Sequence, residues 1–389
     1  MSIRKIDIHI EENSSSYEIG ISHDDHGQTA RWLSELNGNA AERATIVSNP
    51  TVFGLYGDAL TQILKSSDLE VSVWLMPDGE EHKTLDNAAL ALDAFTKSGL
   101  SRTDLVIALG GGVVGDLAGF AASIYLRGVD LIQMPTTLLS MIDSSVGGKT
   151  GVNSTGGKNR IGTFYQPAGV IIDTYTLRTL PQREVTAGLC EAVKHGALSG
   201  QPLFHQVSRF LERYPAGDLQ ECFADSGNHD ELDALIEAQV SFKAKIVSLD
   251  QRESAARTDA SSRKTLNFGH TLGHALEKVT RYSHFRHGEA VGYGMLYAAE
   301  LSKKLDFIDC DQVELLYDVV HRTGPLPSLA GIDPKEVLDE FRFDKKMVAG
   351  SLQMILLEGI GNPRIVDANL IPADTLRSAL DELLTKTSI

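Results

Sequence analysis

Cysteine is scarce in this chain of 389 residues: Cys190, Cys222 and Cys310 are few, odd in number and far apart. That spacing excludes a disulfide framework and any CxxC metal cradle, and it suits a reducing compartment. Positive charge is also in short supply. Lys and Arg number 36 against 52 Asp and Glu, a formal net charge of −16, which argues against a nucleic-acid or anionic-membrane surface. An anionic ligand must therefore be met by lysines and arginines gathered locally. Long apolar runs are missing as well. No stretch is long and apolar enough to span a bilayer, and residues 1–7 lead directly into alternating polarity without the apolar core of a signal peptide. The expectation is a soluble cytoplasmic protein with neither a membrane nor a nucleic-acid partner.

The length suggests two domains, and a hydrophobic content of 42% is ample for their cores. Residues 3–20 alternate in polarity as a β-hairpin would. Short apolar strands are predicted at Arg43 to Ser48, Val71 to Met76, Leu105 to Leu109, Leu131 to Met134 and Val170 to Ile172, with a helix around 84–98. Strands alternating with helices indicate an α/β domain with a mostly parallel sheet. After Leu180-Pro181 the periodicity turns almost wholly helical, apart from a late strand-like run from Leu352 to Leu357. The boundary is expected near 175–185, giving domains 1–180 and 181–389.

Histidine is concentrated. His270, His274, His284 and His287 fall within eighteen residues, and His270 and His274, four apart, share one face of a helix. Such a cluster points to a metal, to acid/base chemistry or to both, although two histidines cannot close a zinc site and an i,i+4 pair is often a solvated face. Gly110-Gly111-Gly112-Val113-Val114-Gly115-Asp116 follows a predicted strand and opens a helix, as in a dinucleotide turn, but the ribose-binding acid expected about twenty residues later is not evident. Asp143 to Asn153 contains Gly147-Gly148-Lys149-Thr150, which ends like a P-loop yet lacks its first glycine. With Lys149 and Lys158 it suits a small phosphorylated ligand. Glu191 and Lys194 stand three apart, a spacing whose default is a weak surface ion pair. Asp344-Lys345-Lys346, taken alone, is a solvated charge run.

In this order, these pieces resemble the 3-dehydroquinate synthases of the sugar phosphate cyclase superfamily. The resemblance runs through Gly110 to Phe120, Tyr125 to Gly128, Gln133 to Leu139, Asp143 to Asn153, Gly157 to Asn159, Leu180 to Lys194, Asn267 to Glu277, His287 to Val291 and Asp344 to Lys346. It implies a Rossmann-like NAD-binding domain followed by an all-helical metal-binding domain. The implied zinc ligands, with cobalt as an alternative metal, are Glu191, His270 and His287. Implied substrate and catalytic residues are Arg127, Asp143, Lys149, Asn159, Lys194, Lys243, Glu253, an arginine, Asn267, His274, and Lys345 or Lys346. Implied NAD contacts are Asn49, Glu80, Lys83, Gly111, Gly112, Gly115, Asp116, Thr136, Thr137, Lys149, Lys158 and Thr179. A homodimer is implied as well.

The substrate implied is 3-deoxy-D-arabino-heptulosonate 7-phosphate. Transient oxidation by NAD, phosphate elimination, reduction, ring opening and an intramolecular aldol closure give 3-dehydroquinate in the shikimate pathway. The chain departs from the family pattern at residues 254–262, an insertion that leaves Arg257 and Arg263 competing for one arginine role. Counting back from His270 favours Arg263. The alternatives are another sugar phosphate cyclase, or a polyol or glycerol-phosphate dehydrogenase of the same architecture. Asn159, Asn267 and His274 agree with the dehydroquinate branch.

Overall fold

The structure, a computed structural model, describes residues 16–37, 41–222, 229–347 and 352–387. The first region is built on a six-stranded sheet. Its strands are β1 (Glu18–Ser22), β2 (Arg43–Ser48), β3 (Glu70–Leu75), β4 (Leu105–Gly110) and β5 (Asp130–Pro135), with β8 (Gly169–Asp173) as the sixth; β6 (Lys149–Ser154) and β7 (Gly157–Phe164) form a separate antiparallel hairpin. The order is β1-β8-β5-β4-β2-β3 and every pairing in it is parallel. Parallel strands covered on both faces need apolar residues on both, and β4 is buried throughout. Val106 and Ala108 pack with Phe95 and Leu117 on one side, while Leu105, Ile107 and Leu109 pack with Leu60 and Leu64 on the other.

Most of the hairpin expected at 3–20 lies outside the described residues. Its described end, Glu18–Ser22, pairs in parallel with β8 as an edge strand of the main sheet.

From Gln182 the chain is helical, with one two-stranded ladder of β9 (Gln353–Leu357) and β10 (Pro363–Asp367) where the late apolar run was predicted. The two regions share a core. Val170 and Ile172 of β8 belong to the same apolar cluster as Leu189 and Val193 of the helix Gln182–Ser199. Among the described residues no helix is long and apolar enough to cross a membrane.

The sheet reverses its winding between β2 and β4: from β2 the chain moves outward to β3, and from β4 it moves the other way to β5. A crevice opens at the carboxyl ends of strands where winding reverses. The glycine-led helix Gly112–Ile124 begins there, directly after β4.

Candidate active site

Three helices meet at the histidine cluster, and glycines let their backbones touch. Gly269 has φ +79, and a Cβ on it would lie 2.8 Å from the Val291 carbonyl; one on Gly294 would lie 1.7 Å from the Gly269 carbonyl. The helices His270–Val279 and His287–Lys304 therefore cross backbone to backbone. Gly288 does the same for the helix Gln182–Ser199, where a Cβ would meet the Ala187 carbonyl at 1.9 Å. These crossings bring Glu191, His270 and His287 together, with one ligand atom from each lying within 4.8 Å of the others.

The residues fit a metal ion. Nδ1 of His270 faces the Phe268 carbonyl at 3.1 Å, and Nδ1 of His287 faces Glu277 Oε2 at 3.2 Å. Both contacts leave Nε2 for a metal and fix the ring, the usual outer support of metal-binding histidines. Glu191 is fully buried, and neither of its carboxylate oxygens accepts a well-formed hydrogen bond. Lys194, also buried, lies 2.5 Å from its Oε2. The pair that spacing assigns to a solvated face is thus in the interior. A second triad, His274, Glu277 and His287, shares His287. It is the poorer cradle, because Glu277 already accepts from His287 and from Lys158 Nζ at 2.8 Å. Burial and the neighbouring Lys194, His287 and His274 push His270 well below its ordinary pKa, so it is neutral and able to coordinate. Burial disfavours the charged form of His287, but Glu277 and Glu191 outweigh that and raise its pKa.

His274 stands one turn beyond His270, with ring centroids 5.3 Å apart, and 5.9 Å from His287. Unlike the ligands of the first triad, it is exposed.

Beside the triad lies a buried charge cluster. Asp143, in the π-helical turn Ser140–Ser144, pairs with Lys243 and lies 3.7 Å from Lys194. Burial alone would neutralise it, yet Lys194 and Lys243 hold its carboxyl well below the usual range. Lys243 is lowered to about 8, because burial and its cationic neighbours Arg263 and Lys194 outweigh Asp143. His195, fully buried, meets Gln239 at 3.0 Å and is pushed down to about 3, chiefly by burial.

The predicted nucleotide residues collect at the strand ends. Gly111 caps the helix Gly112–Ile124. A Cβ at Gly112 would be 3.0 Å from Ser144 Oγ, and one at Gly115 would be 2.7 Å from Gln133 Oε1, so side chains are kept out of the turn where a pyrophosphate would approach. The Thr136 amide donates to the Gly110 carbonyl at 3.0 Å, and Thr137 Oγ1 meets Ser140 Oγ at 2.8 Å. Asp116 Oδ2 accepts from Lys83 Nζ at 2.9 Å, and Glu80 lies 3.3 Å from the same ammonium. Asn49 caps the turn after β2, accepting from the Val52 amide at 2.8 Å. Lys158, on the β6–β7 hairpin, joins this side to the histidine helix through Glu277.

Other predicted residues gather at the hairpin's opposite end. Lys149 pairs with Glu253, which also accepts from Asn267 Nδ2 at 3.2 Å. Arg263 is buried, its guanidinium against Gly147, and Nη1 donates to the Gln251 carbonyl at 2.7 Å. Arg257 instead ties the inserted loop to itself, 3.0 Å from Asp259 Oδ2. Asn159, by contrast, stays at the turn end of the hairpin beside Lys158; it holds φ +54, and its amide donates to Asn153 Oδ1 at 2.9 Å. Lys345 and Lys346 stand in the last turn of the helix Pro334–Met347.

Arg127 is followed by Gly128, where a Cβ would be 3.2 Å from Tyr165 Oη, and the Tyr165 amide donates to the Gly148 carbonyl beside Lys149 at 2.7 Å. Arg127 is exposed beyond the C-terminal end of the glycine-led helix, about 20 Å of helix away from Gly112. It sits within the positive-φ run Leu126-Arg127-Gly128, with no hydrogen bond or ion pair among the described residues.

Comparison with known proteins decides the family. The family described as 3-dehydroquinate synthase N-terminal matches residues 73–187, and its C-terminal counterpart matches residues 188–347. A 3-dehydroquinate synthase from Crocosphaera subtropica is 38% identical over 95% of this chain and 96% of its own length. The chain belongs to the 3-dehydroquinate synthase family, and it is an enzyme. Among solved structures, the 2-epi-5-epi-valiolone synthase of Streptomyces hygroscopicus, with NAD+ and Zn2+ bound, superposes with a TM-score of 0.83 at 26% identity, covering 97% of this chain and 99% of that one. A 2-deoxy-scyllo-inosose synthase complexed with carbaglucose-6-phosphate, NAD+ and Co2+ gives 0.77 at 25%, covering 95% and 96%.

Around the cluster that the structure assembles, sequence reasoning missed Glu277, His195 and Gln239. Glu277 lies seven residues after His270 on the same helical face, a signal present in the sequence but not used. His195 and Gln239 become visible only once burial is known.

Proposed function

We propose that this chain converts 3-deoxy-D-arabino-heptulosonate 7-phosphate to 3-dehydroquinate and phosphate, with one divalent metal on Glu191, His270 and His287 and NAD in the crevice at the strand ends. Zinc is the metal of choice, with cobalt able to replace it. The observation that carries this reading is the convergence of those three ligand atoms within 4.8 Å, in contact through Lys194 with the charge set of Asp143 and Lys243. The solved relatives with bound NAD+ and Zn2+ or Co2+ support the same assignment.

When bound, the metal supplies Lewis acidity and the dinucleotide a reversible hydride acceptor. The chain's own residues do the remainder. Gly111, Gly112, Gly115, Thr136 and Thr137 shape the nucleotide turn, with Asn49, Glu80, Lys83, Asp116, Lys158 and Thr179 around it. Lys149, Arg263, Asn267 and one of Lys345 and Lys346 take the substrate's phosphate and carboxylate, for which an acidic chain must concentrate its cations. Asp143 holds Lys194 and Lys243 in place, so their charge faces the substrate without reorganising as the reaction proceeds. His274, exposed beside the metal ligands, is the residue placed to hand a proton to or from the substrate. We set the domain boundary at 180/181. We also take a homodimer as the working unit, consistent with the exposure of Val73 and Leu75 (41% and 40%) on the sheet-edge strand β3.

Metal stripping tests the reading. Chelation is expected to abolish turnover, and Zn2+ or Co2+ to restore it. Full activity in rigorously metal-free protein would contradict the assignment.

A further inference from the structure

Tyr56 belongs to a segment whose geometry has a use in the crevice. After β2 the chain enters a helix capped by Asn49, and at Phe53–Gly57 this widens into a π-helical turn. Such turns insert a residue, shift the facing of side chains and occur often at functional sites. Gly57 allows the turn, since a Cβ there would fall 2.2 Å from the Phe53 ring. Tyr56 consequently reaches away from its own strand. Its hydroxyl donates to the Thr176 carbonyl at 3.0 Å and lies 2.5 Å from Thr179 Oγ1. Both threonines belong to the 3-10 segment Thr174–Thr179 that follows β8.

In the sheet, β4 and β5 lie between β2 and β8, so the contact closes over about 14 Å at the usual strand spacing. It therefore passes across the carboxyl ends of β4 and β5, where the Gly111–Gly112 and Thr136–Thr137 turns stand. Thr179 Oγ1 also donates to the Thr176 carbonyl at 3.2 Å, so the two hydroxyls and that carbonyl form one closed set in which either hydroxyl can donate to the other. The set fixes where Thr179 Oγ1 sits.

We propose that Tyr56 is a positioning residue for the dinucleotide. It clasps the β2 side of the crevice to the β8 side and fixes the place of Thr179, whose hydroxyl then meets the nucleoside half of the dinucleotide. This rests on the crevice being the NAD site.

NAD titration of the zinc-loaded protein by calorimetry tests the clasp. Tyr56→Phe keeps the ring and removes only the hydroxyl. Its NAD dissociation constant rises about three- to ten-fold, the effect of one neutral hydrogen bond, with bound zinc unchanged. In a Thr179→Val background the same substitution adds at most about two-fold, because the partner is already gone. An unchanged dissociation constant for Tyr56→Phe, or equal losses in both backgrounds, would overturn the clasp. A wild-type protein that binds no NAD would instead overturn the reading beneath it.

Discussion

The crevice at the strand ends and the cluster on the helices are made from different materials. The turns of the crevice at the ends of β4 and β5 are lined by backbone and small residues: Gly111, Gly112, Gly115, Thr136 and Thr137, positioned by the sheet whatever is bound, with the Lys83–Asp116 pair beside them. The helix cluster is made of interior charge, with Glu191, Lys194 and Lys243 at most 6% exposed. Interior charges are costly to desolvate and stable only as a paired set. Substitutions in the crevice should therefore change ligand affinity and spare the fold. Substitutions in the cluster should change affinity and stability together.

Removing a member of the charge set is the hardest blow. Glu191→Ala deletes a metal ligand and leaves Lys194 with only the more distant Asp143. We expect loss of bound zinc, loss of turnover, and a destabilisation of about 3 kcal/mol in denaturant titration. A variant of wild-type stability would show that the cluster does not behave as a set.

His274→Ala separates chemistry from metal binding. Near-stoichiometric zinc should remain while turnover falls by about 10²–10⁴. A zinc-depleted variant rescued by added zinc would make His274 a support of His270 instead.

The inserted loop gives a paired test. Arg263→Lys should reduce kcat/KM about 10- to 100-fold through loss of the guanidinium fork, and Arg257→Lys should stay within a few-fold. If Arg257→Lys is the more harmful, the register of the insertion is wrong.

The crevice should respond more gently. A Cβ at Gly112 is 3.0 Å from the Ser144 hydroxyl, so Gly112→Ala should raise the NAD dissociation constant by about ten-fold, or 1.4 kcal/mol. Zinc content should be unaffected; zinc loss would erase the distinction between the two regions.

Acid stability gives a separate test of the interior cluster. His195 has a native pKa of about 3 against an ordinary 6.5. Between those values the unfolded chain binds a proton that the native state does not, so stability falls as pH drops through that window. The slope from this residue is at most about 1.4 kcal/mol per pH unit. His195→Gln should flatten the acid limb of stability measured from pH 6.5 to 4; an unchanged limb would mean that His195 titrates normally.

The strand Arg43–Ser48 was legible to the residue, because burial on both faces leaves a short run of apolar and small β-forming residues, Ala44 to Val47, at its centre. The histidine pair was legible from its helical spacing. Glu191 was not, since spacing describes a helix face but not what covers it. The Gly288 approach to Ala187 turns that face inward. Arg127 carries the family motif and stands exposed in a positive-φ run past the end of the helix. Counting back from His270 favours Arg263 over Arg257, and the Asp250 turn, accepting from the Arg263 amide at 2.9 Å, carries Arg263 into the interior.

The most direct test of the account follows phosphate, product and NADH together, with the heptulosonate phosphate in large excess over NAD. The account predicts many equivalents of phosphate and 3-dehydroquinate per NAD, released in equal amounts, with no accumulation of NADH. NADH rising in step with substrate consumed would contradict it and mark a dehydrogenase.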